Sequence, residues 1–163
     1  MNDRYEIQDV LSRYVRANDE RDHAALAALF AEDGVFRFFG RSGTGKYQLS
    51  GEAITGAGEI KAFAEGWPPL AERLYLHHMT TDHVIEVDGD QATMNAQFVV
   101  MSTVADAEPE GGWPKGLLGV QGSITPIMIG LYDSDLRSID GVWKLTRLDV
   151  LHSLPHSLPT VNR

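Results

Sequence analysis

The sequence contains no cysteine. Disulfides, thiolate nucleophiles and cysteine-built zinc sites are excluded with it, and a chain without thiols is expected in the cytoplasm. Basic residues are few: 14 Lys and Arg stand against 23 Asp and Glu, for a formal charge of −9. The lysines, Lys46, Lys61, Lys115 and Lys144, are scattered. Phosphate contacts dominate nucleic-acid affinity, so this balance argues against nucleic acid and anionic membrane surfaces as partners. No apolar run approaches the roughly 18 residues of a membrane-spanning helix. The N-terminal stretch lacks the charged-then-apolar order of a signal segment. The glycine-rich stretch GRSGTGKYQLSG lacks the spacing and Lys-Ser/Thr ending of a phosphate-cradling loop. Repeats, linkers and low-complexity segments are missing as well.

What is there is a chain of 163 residues, 43% apolar, enough for one domain with a real core. That domain is expected over residues 1–155, with a C-terminal tail at 156–163 kept irregular by prolines nearby. Ile7, Val10, Leu11, Tyr14 and Val15 share one face of an amphipathic helix, with Asp3 and Glu6 as its capping pair. A second helix is expected from about His23 to Ala31, capped by Asp22, with Leu26, Leu29 and Phe30 apolar and Asp33-Gly34 stopping it. VFRFFG reads as a short strand. GEIKAFAEGW reads as a third helix, ended by Pro68 and Pro69.

From about Leu76 the chain reads as sheet. HVIEVDGDQATMNAQFVV has the pattern of a hairpin turning at Asp88-Gly89-Asp90. After the loop EPEGGWPKG, an extended run over Val120 to Arg137 meets VWKLTRLDVLH across Asp140-Gly141. Trp113 in that loop is a lid or an anchor, and Arg137 and Arg147 face cross-strand aspartates at Asp135 and Asp149. Helices followed by a long antiparallel meander give an α+β domain. Its bent sheet wraps the helices and leaves a pocket on the concave side.

Three segments together resemble SnoaL-like proteins of the NTF2-like superfamily: EIQDVLSRYVRANDERDHAALAALFAEDGVF, HHMTTDHVIEVDGDQAT and YDSDLRSIDGVWKLTRLDV. The resemblance implies a cone-shaped, cystatin-like fold. In it, three N-terminal helices pack in a strongly curved mixed, mainly antiparallel sheet. That superfamily includes scytalone dehydratase, bile-acid dehydratase, ketosteroid isomerase, limonene epoxide hydrolase and polyketide cyclases, beside non-catalytic transport factors and dioxygenase β subunits. The fold therefore does not choose the reaction. The dehydratase branch implies an Asp closing the first helix and a His on the first long strand, which fall here on Asp19 and His78. Tyr14 falls on a further pocket tyrosine. Phe38 and Met101 stand where bile-acid dehydratase has a tyrosine and an acid, which leaves this pocket the more apolar.

Physical chemistry bears on each of these positions separately. A carboxylate at a helix C-terminus faces the negative end of the macrodipole and loses about 0.3–1 kcal/mol there, so helix chemistry does not explain Asp19. A histidine beside a carboxylate that holds its tautomer is a general acid–base. Strict strand alternation, with Ile85 and Val87 inward, puts His77 rather than His78 inside. A bulge near Thr80–Asp82 reconciles pattern and resemblance. His77 and His83 are about 20 Å apart on an extended strand, so neither they nor Asp82 or His152 are expected to form a metal site. Tyr14 is a core tyrosine or a hydrogen-bond donor to substrate. Phe36, Phe38, Trp67, Phe98 and Met101 are the candidate substrate-binding wall, with Met79 beside them. His152 and His156 flank the start of the tail; either could reach the mouth of the cone, but solvent is the expectation.

The function expected is a cofactor-independent lyase or isomerase, dehydratase-like, acting on a small apolar cyclic ketone or hydroxyketone of polyketide, steroid or terpenoid type. His78 is the general acid–base, Asp19 orients it, and Tyr14 binds the substrate oxygen. The competing expectation is a non-catalytic binding or assembly module of the same fold. A third is a polyketide cyclase or an epoxide hydrolase, the latter needing a second acid and an amide, for which Asn95 is the candidate. A homodimer or higher homo-oligomer is expected by analogy with the fold.

Overall fold

The amphipathic spacing near the N-terminus produces helix α1, Asp3–Asp19, which buries Ile7, Val10, Leu11, Tyr14 and Val15 as read. A computed structural model describes residues 3–157. Among the described residues Glu6 Oε1 is buried without a partner, and the expected capping box is not seen. Helix α2 spans His23–Ala28, and Asp22 caps it by accepting from the Ala25 amide at 2.9 Å.

This helix is shorter than expected. Phe30 and Ala31 already belong to strand β1, Phe30–Arg41, because Phe30 pairs in parallel with the closing strand at Leu145. Asp33 and Gly34 are thus not a helix stop but part of an irregular stretch of β1 between Phe30 and Val35. Two short strands, β2 (Tyr47–Leu49) and β3 (Ile54–Thr55), pair with β1. Helix α3, Ala57–Glu65, follows and buries Ile60 and Ala64.

Four long strands complete the sheet: β4 (Leu74–Asp88), β5 (Gln91–Ala105), β6 (Gly122–Ile139) and β7 (Val142–His152). The order is β2-β1-β7-β6-β5-β4, antiparallel except for β1 against β7. The result is a mixed, mainly antiparallel α+β sheet, curved and unclosed, with the helices packed on its concave face. The core lies between them: Phe36, Met94, Ala96, Tyr132 and Leu148 from strands meet Leu11, Tyr14, Leu26 and Ile60 from helices. On β6 and β7, Arg147 bonds Asp135 at 2.7 Å and Asp149 at 2.6 Å, and Arg37 of β1 bonds Asp149 at 2.7 Å. The expected cross-strand pairing of Arg147 is present, whereas Arg137 turns to Asp33 at 3.0 Å.

One irregularity decides the site. Between Thr81↔Gln97 and Val84↔Asn95, β4 holds two residues where β5 holds one, and Asp82 takes φ 54°. This is a bulge, and it reverses the inward and outward parity of β4. After β7 the chain turns back over β1: the Arg41 amide donates to Leu154 O at 3.1 Å, and Ser50 Oγ donates to His156 O at 2.9 Å. Residues 158–163 of the expected tail lie outside the described residues. Among the described residues, no helix is long and apolar enough to cross a membrane.

Candidate active site

The end of α1 is closed by two reverse bonds, Asp22 N to Ala17 O at 2.9 Å and Arg21 N to Asn18 O at 3.2 Å. Arg21 sits at φ 58°, a left-handed position that usually takes glycine. A bulky residue there costs on the order of 1 kcal/mol or more and marks a place where a side chain is wanted. This closure presents Asn18, Asp19 and Arg21 toward the sheet.

Asp19 meets His78 there. Its Oδ1 lies 2.5 Å from His78 Nδ1, and its Oδ2 accepts the His78 backbone amide at 3.0 Å. The side chains are 18% and 7% exposed. The carboxylate disfavoured by the helix end is thus satisfied by a ring N–H and a backbone N–H from one residue. With Nδ1–H given to the carboxylate, Nε2 carries the lone pair. The bulge explains why His78 and not His77 is inside: Leu76, His78 and Thr80 face inward before it, His83 and Ile85 after it.

His78 lines a cavity of about 200 Å³. Tyr14, Asn18 and Arg21 line it from the helix end, Phe38, Trp67 and Phe98 form aromatic walls, and His152 and His156 close the β7 side. Asp19 stands behind His78, outside the lining. Burial pushes the Tyr14 phenol well above its usual range, against a hydrogen bond from Asn18, so it stays a donor at neutral pH. Burial lowers the Arg21 guanidinium and the Asp19 charge raises it; its head lies 5.4 Å from the Trp67 ring.

The structure therefore brings Asp19, His78, Tyr14, Phe38, Trp67 and Phe98 together. Phe36 is not in the wall but fully buried beneath it, against Tyr14 and Phe38. Met101 is absent from the lining because it pairs with outward-facing His77, and Met79 is 51% exposed for the same parity reason. Asn95 lies on the face of β5 opposite Met94 and Ala96, away from the cavity; the amide at the site is Asn18. Trp113 is not part of the lining either. The expectation of solvent-exposed His152 and His156 is corrected: His152 is 7% exposed, and both rings face the cavity. Asn18, Arg21 and Tyr132 were missed. Only Tyr132 had a signal, its alternation in phase with Ser134 and Leu136 on β6. Among the described residues no group of three His, Asp or Glu side chains is arranged to hold a metal ion.

Burial, with His156 and His78 facing it, holds the His152 imidazole down at about 4. An unfolded histidine takes its proton near 6.5. Between those values the unfolded chain binds a proton that the folded one does not, so stability is full above the window and falls as pH drops through it. We expect about 1–2 kcal/mol of such loss, discounted for screening by water, and absent in His152→Phe. Urea unfolding across pH reads it; parallel profiles for the two proteins would count against it.

A model of the SnoaL-like domain family matches residues 1–149. A search of curated proteins found no match. Among solved structures, a Mycobacterium tuberculosis protein of unknown function is 26% identical, with a TM-score of 0.65 over 98% of this chain and 76% of that one. Two others come from Novosphingobium aromaticivorans. An NTF2-like protein with a cystatin-like fold is 20% identical, with a TM-score of 0.65 over 98% and 84% of the two chains. A protein designated a candidate scytalone dehydratase is 17% identical, with a TM-score of 0.65 over 99% and 94%.

Proposed function

The chain belongs to the SnoaL-like domain family, and from that premise we propose that it is a cofactor-independent, dehydratase-like lyase or isomerase acting on an apolar cyclic ketone or hydroxyketone. The observation that carries this reading is the Asp19–His78 pair at the wall of an aromatic-lined cavity. The designation of one fold relative as a candidate scytalone dehydratase points the same way.

His78 Nε2 removes a proton from the carbon beside the substrate carbonyl, and the C–H electron pair becomes the new C=C bond of an enolate. The Tyr14 hydroxyl, with the Asn18 amide beside it, donates to the oxygen on which charge develops. Asp19 stabilises the imidazolium formed. In a β-hydroxyketone the enolate then expels the hydroxyl, which takes the proton back from His78 and leaves as water. In a β,γ-unsaturated ketone without a leaving hydroxyl, the dienolate instead takes the proton back at the γ carbon, which is isomerisation. The apolar walls exclude water and strengthen each of these interactions.

Cavity size narrows the substrate. An apolar cavity of about 150 Å³ holds benzene, so about 200 Å³ suits one or two rings. The steroid option gives way to smaller polyketide or terpenoid skeletons. A β-hydroxytetralone is a minimal test, because its dehydration yields a fluorescent naphthol. We expect naphthol to appear at more than a hundred times the buffer rate. Folded protein that leaves this compound and a panel of monocyclic β-hydroxyketones and ketones unchanged would remove the proposal.

A second reading concerns assembly. Tyr75, Met79, Ile124 and Ile129, on strands β4 and β6, are each more than half exposed, and we propose that a second copy covers them. Sedimentation at micromolar concentration should show a homodimer or higher homo-oligomer; a monomer alone would dismiss it.

A further inference from the structure

Among the described residues, three side chains lining the cavity carry a nitrogen without a partner: Arg21 Nε, His152 Nε2 and His156 Nδ1. His152 Nε2 and His156 Nδ1 are both buried and make no hydrogen bond. Buried polar groups are almost always paired, so each such orphan calls for an explanation. The fold does not use these nitrogens: the two rings stack at 4.0 Å and 11°, a contact that apolar rings would serve as well.

The rings are nonetheless held in place. His152 meets the edge of Phe98 at 5.8 Å, and His156 lies over Phe38 at 5.9 Å. The backbone of His156 is fixed by Ser50, and it runs so close to Gly40 that a Cβ there would meet its amide nitrogen at 2.4 Å. Two fixed side chains that line a cavity and carry unsatisfied nitrogens are suited to recognising a polar group.

Its position is also informative. His78 is on β4 and His152 on β7, three strand steps apart in the sheet order. At 4.7–4.9 Å per step that is about 14 Å along a flat sheet, shortened across the concave face by curvature. Curvature brings the two side chains near enough for His78 to bear on the charge of His152, and they reach the cavity from different strands. A neutral imidazole offers one N–H and one lone pair, which a hydroxyl complements in both directions.

We propose that His152 and His156 form a second polar anchor at the β7 side of the cavity, taking a hydroxyl of the ligand while the Asp19–His78 pair acts from the β4 side. This rests on the catalytic reading and deepens it. The substrate class becomes a one- or two-ring ketone that carries a further hydroxyl away from the reacting carbon.

Binding tests this separately from turnover. The probes are tetralone, with one oxygen, and the tetralone bearing a phenolic hydroxyl on its far ring; neither can lose water. Calorimetry on the full chain should show the phenol binding about tenfold tighter. That ratio should fall toward one in His152→Phe and in His156→Phe, and persist in His78→Gln even if both affinities drop. Near-UV circular dichroism checks the fold. If His152→Phe is misfolded, His156→Phe, on the segment after β7, decides alone. A ratio of one in the unmodified protein, a ratio that survives both substitutions, or no binding of either tetralone overturns the anchor. Naphthol formation from the β-hydroxytetralone with a ratio of one removes the anchor only. An intact ratio without naphthol removes the dehydratase reading only.

Discussion

Asp19→Asn and His78→Gln are each expected to lower kcat on a β-hydroxytetralone by about 10²–10⁴, the usual contribution of a positioned general acid–base. The two losses have different causes. Gln in place of His78 removes the base. Asn in place of Asp19 keeps an oxygen for the His78 amide, but its NH₂ cannot accept from Nδ1–H. The ring is then driven to the tautomer with hydrogen on Nε2, and the lone pair faces the wrong way. The double variant should be little worse than either single one, because the pair acts as a unit. Stopped-flow or steady-state kinetics on folded variants reads this. Turnover within a few-fold of the unmodified protein in both single variants would exclude the mechanism.

Gly130→Ala is the second large effect, on stability. A Cβ at Gly130 would lie 2.0 Å from the Leu151 carbonyl oxygen and 2.9 Å from Phe98 Cε1. Gly130 pairs with His152 on one side and Phe98 on the other, so neither neighbour can retreat without opening the β6–β7 or β5–β6 ladder. Overpacking of this kind costs roughly 3 kcal/mol and, against backbone, more. Gly43→Ala, with nothing within 4 Å, is the matched control and should be nearly neutral. Equal urea midpoints for the two variants would show that the sheet yields where we expect it to hold.

Much of the architecture was legible because periodicity is a local property. The stripe from Ile7 to Val15 and the hairpin about Gly89 follow directly from spacing. Helix α2 ended early because a distant strand claimed Phe30, a tertiary preference that no window around residue 30 contains. At the site, Asp19 and His78 came from family resemblance, while strand parity alone chose His77. The parity argument failed because it assumes an unbroken ladder. Asp82 at positive φ breaks that ladder, and aspartate tolerates the conformation without advertising it. His152 was misplaced for a different reason: Leu148, Val150 and His152 alternate in phase and are all buried, so the pattern already put its ring with the core. Asn18 and Arg21 had no local signal, since a polar run at a helix end normally faces water.

The extra residue in β4 makes chain length, rather than side-chain chemistry, the control on which imidazole enters the hollow. Removing Asp82 would restore an unbroken ladder and turn the preceding segment over, bringing His77 and Met79 in and sending His78 out, as a crystal structure of the deletion would reveal. A single-codon loss here would then disturb the Asp19–His78 contact more than most replacements nearby.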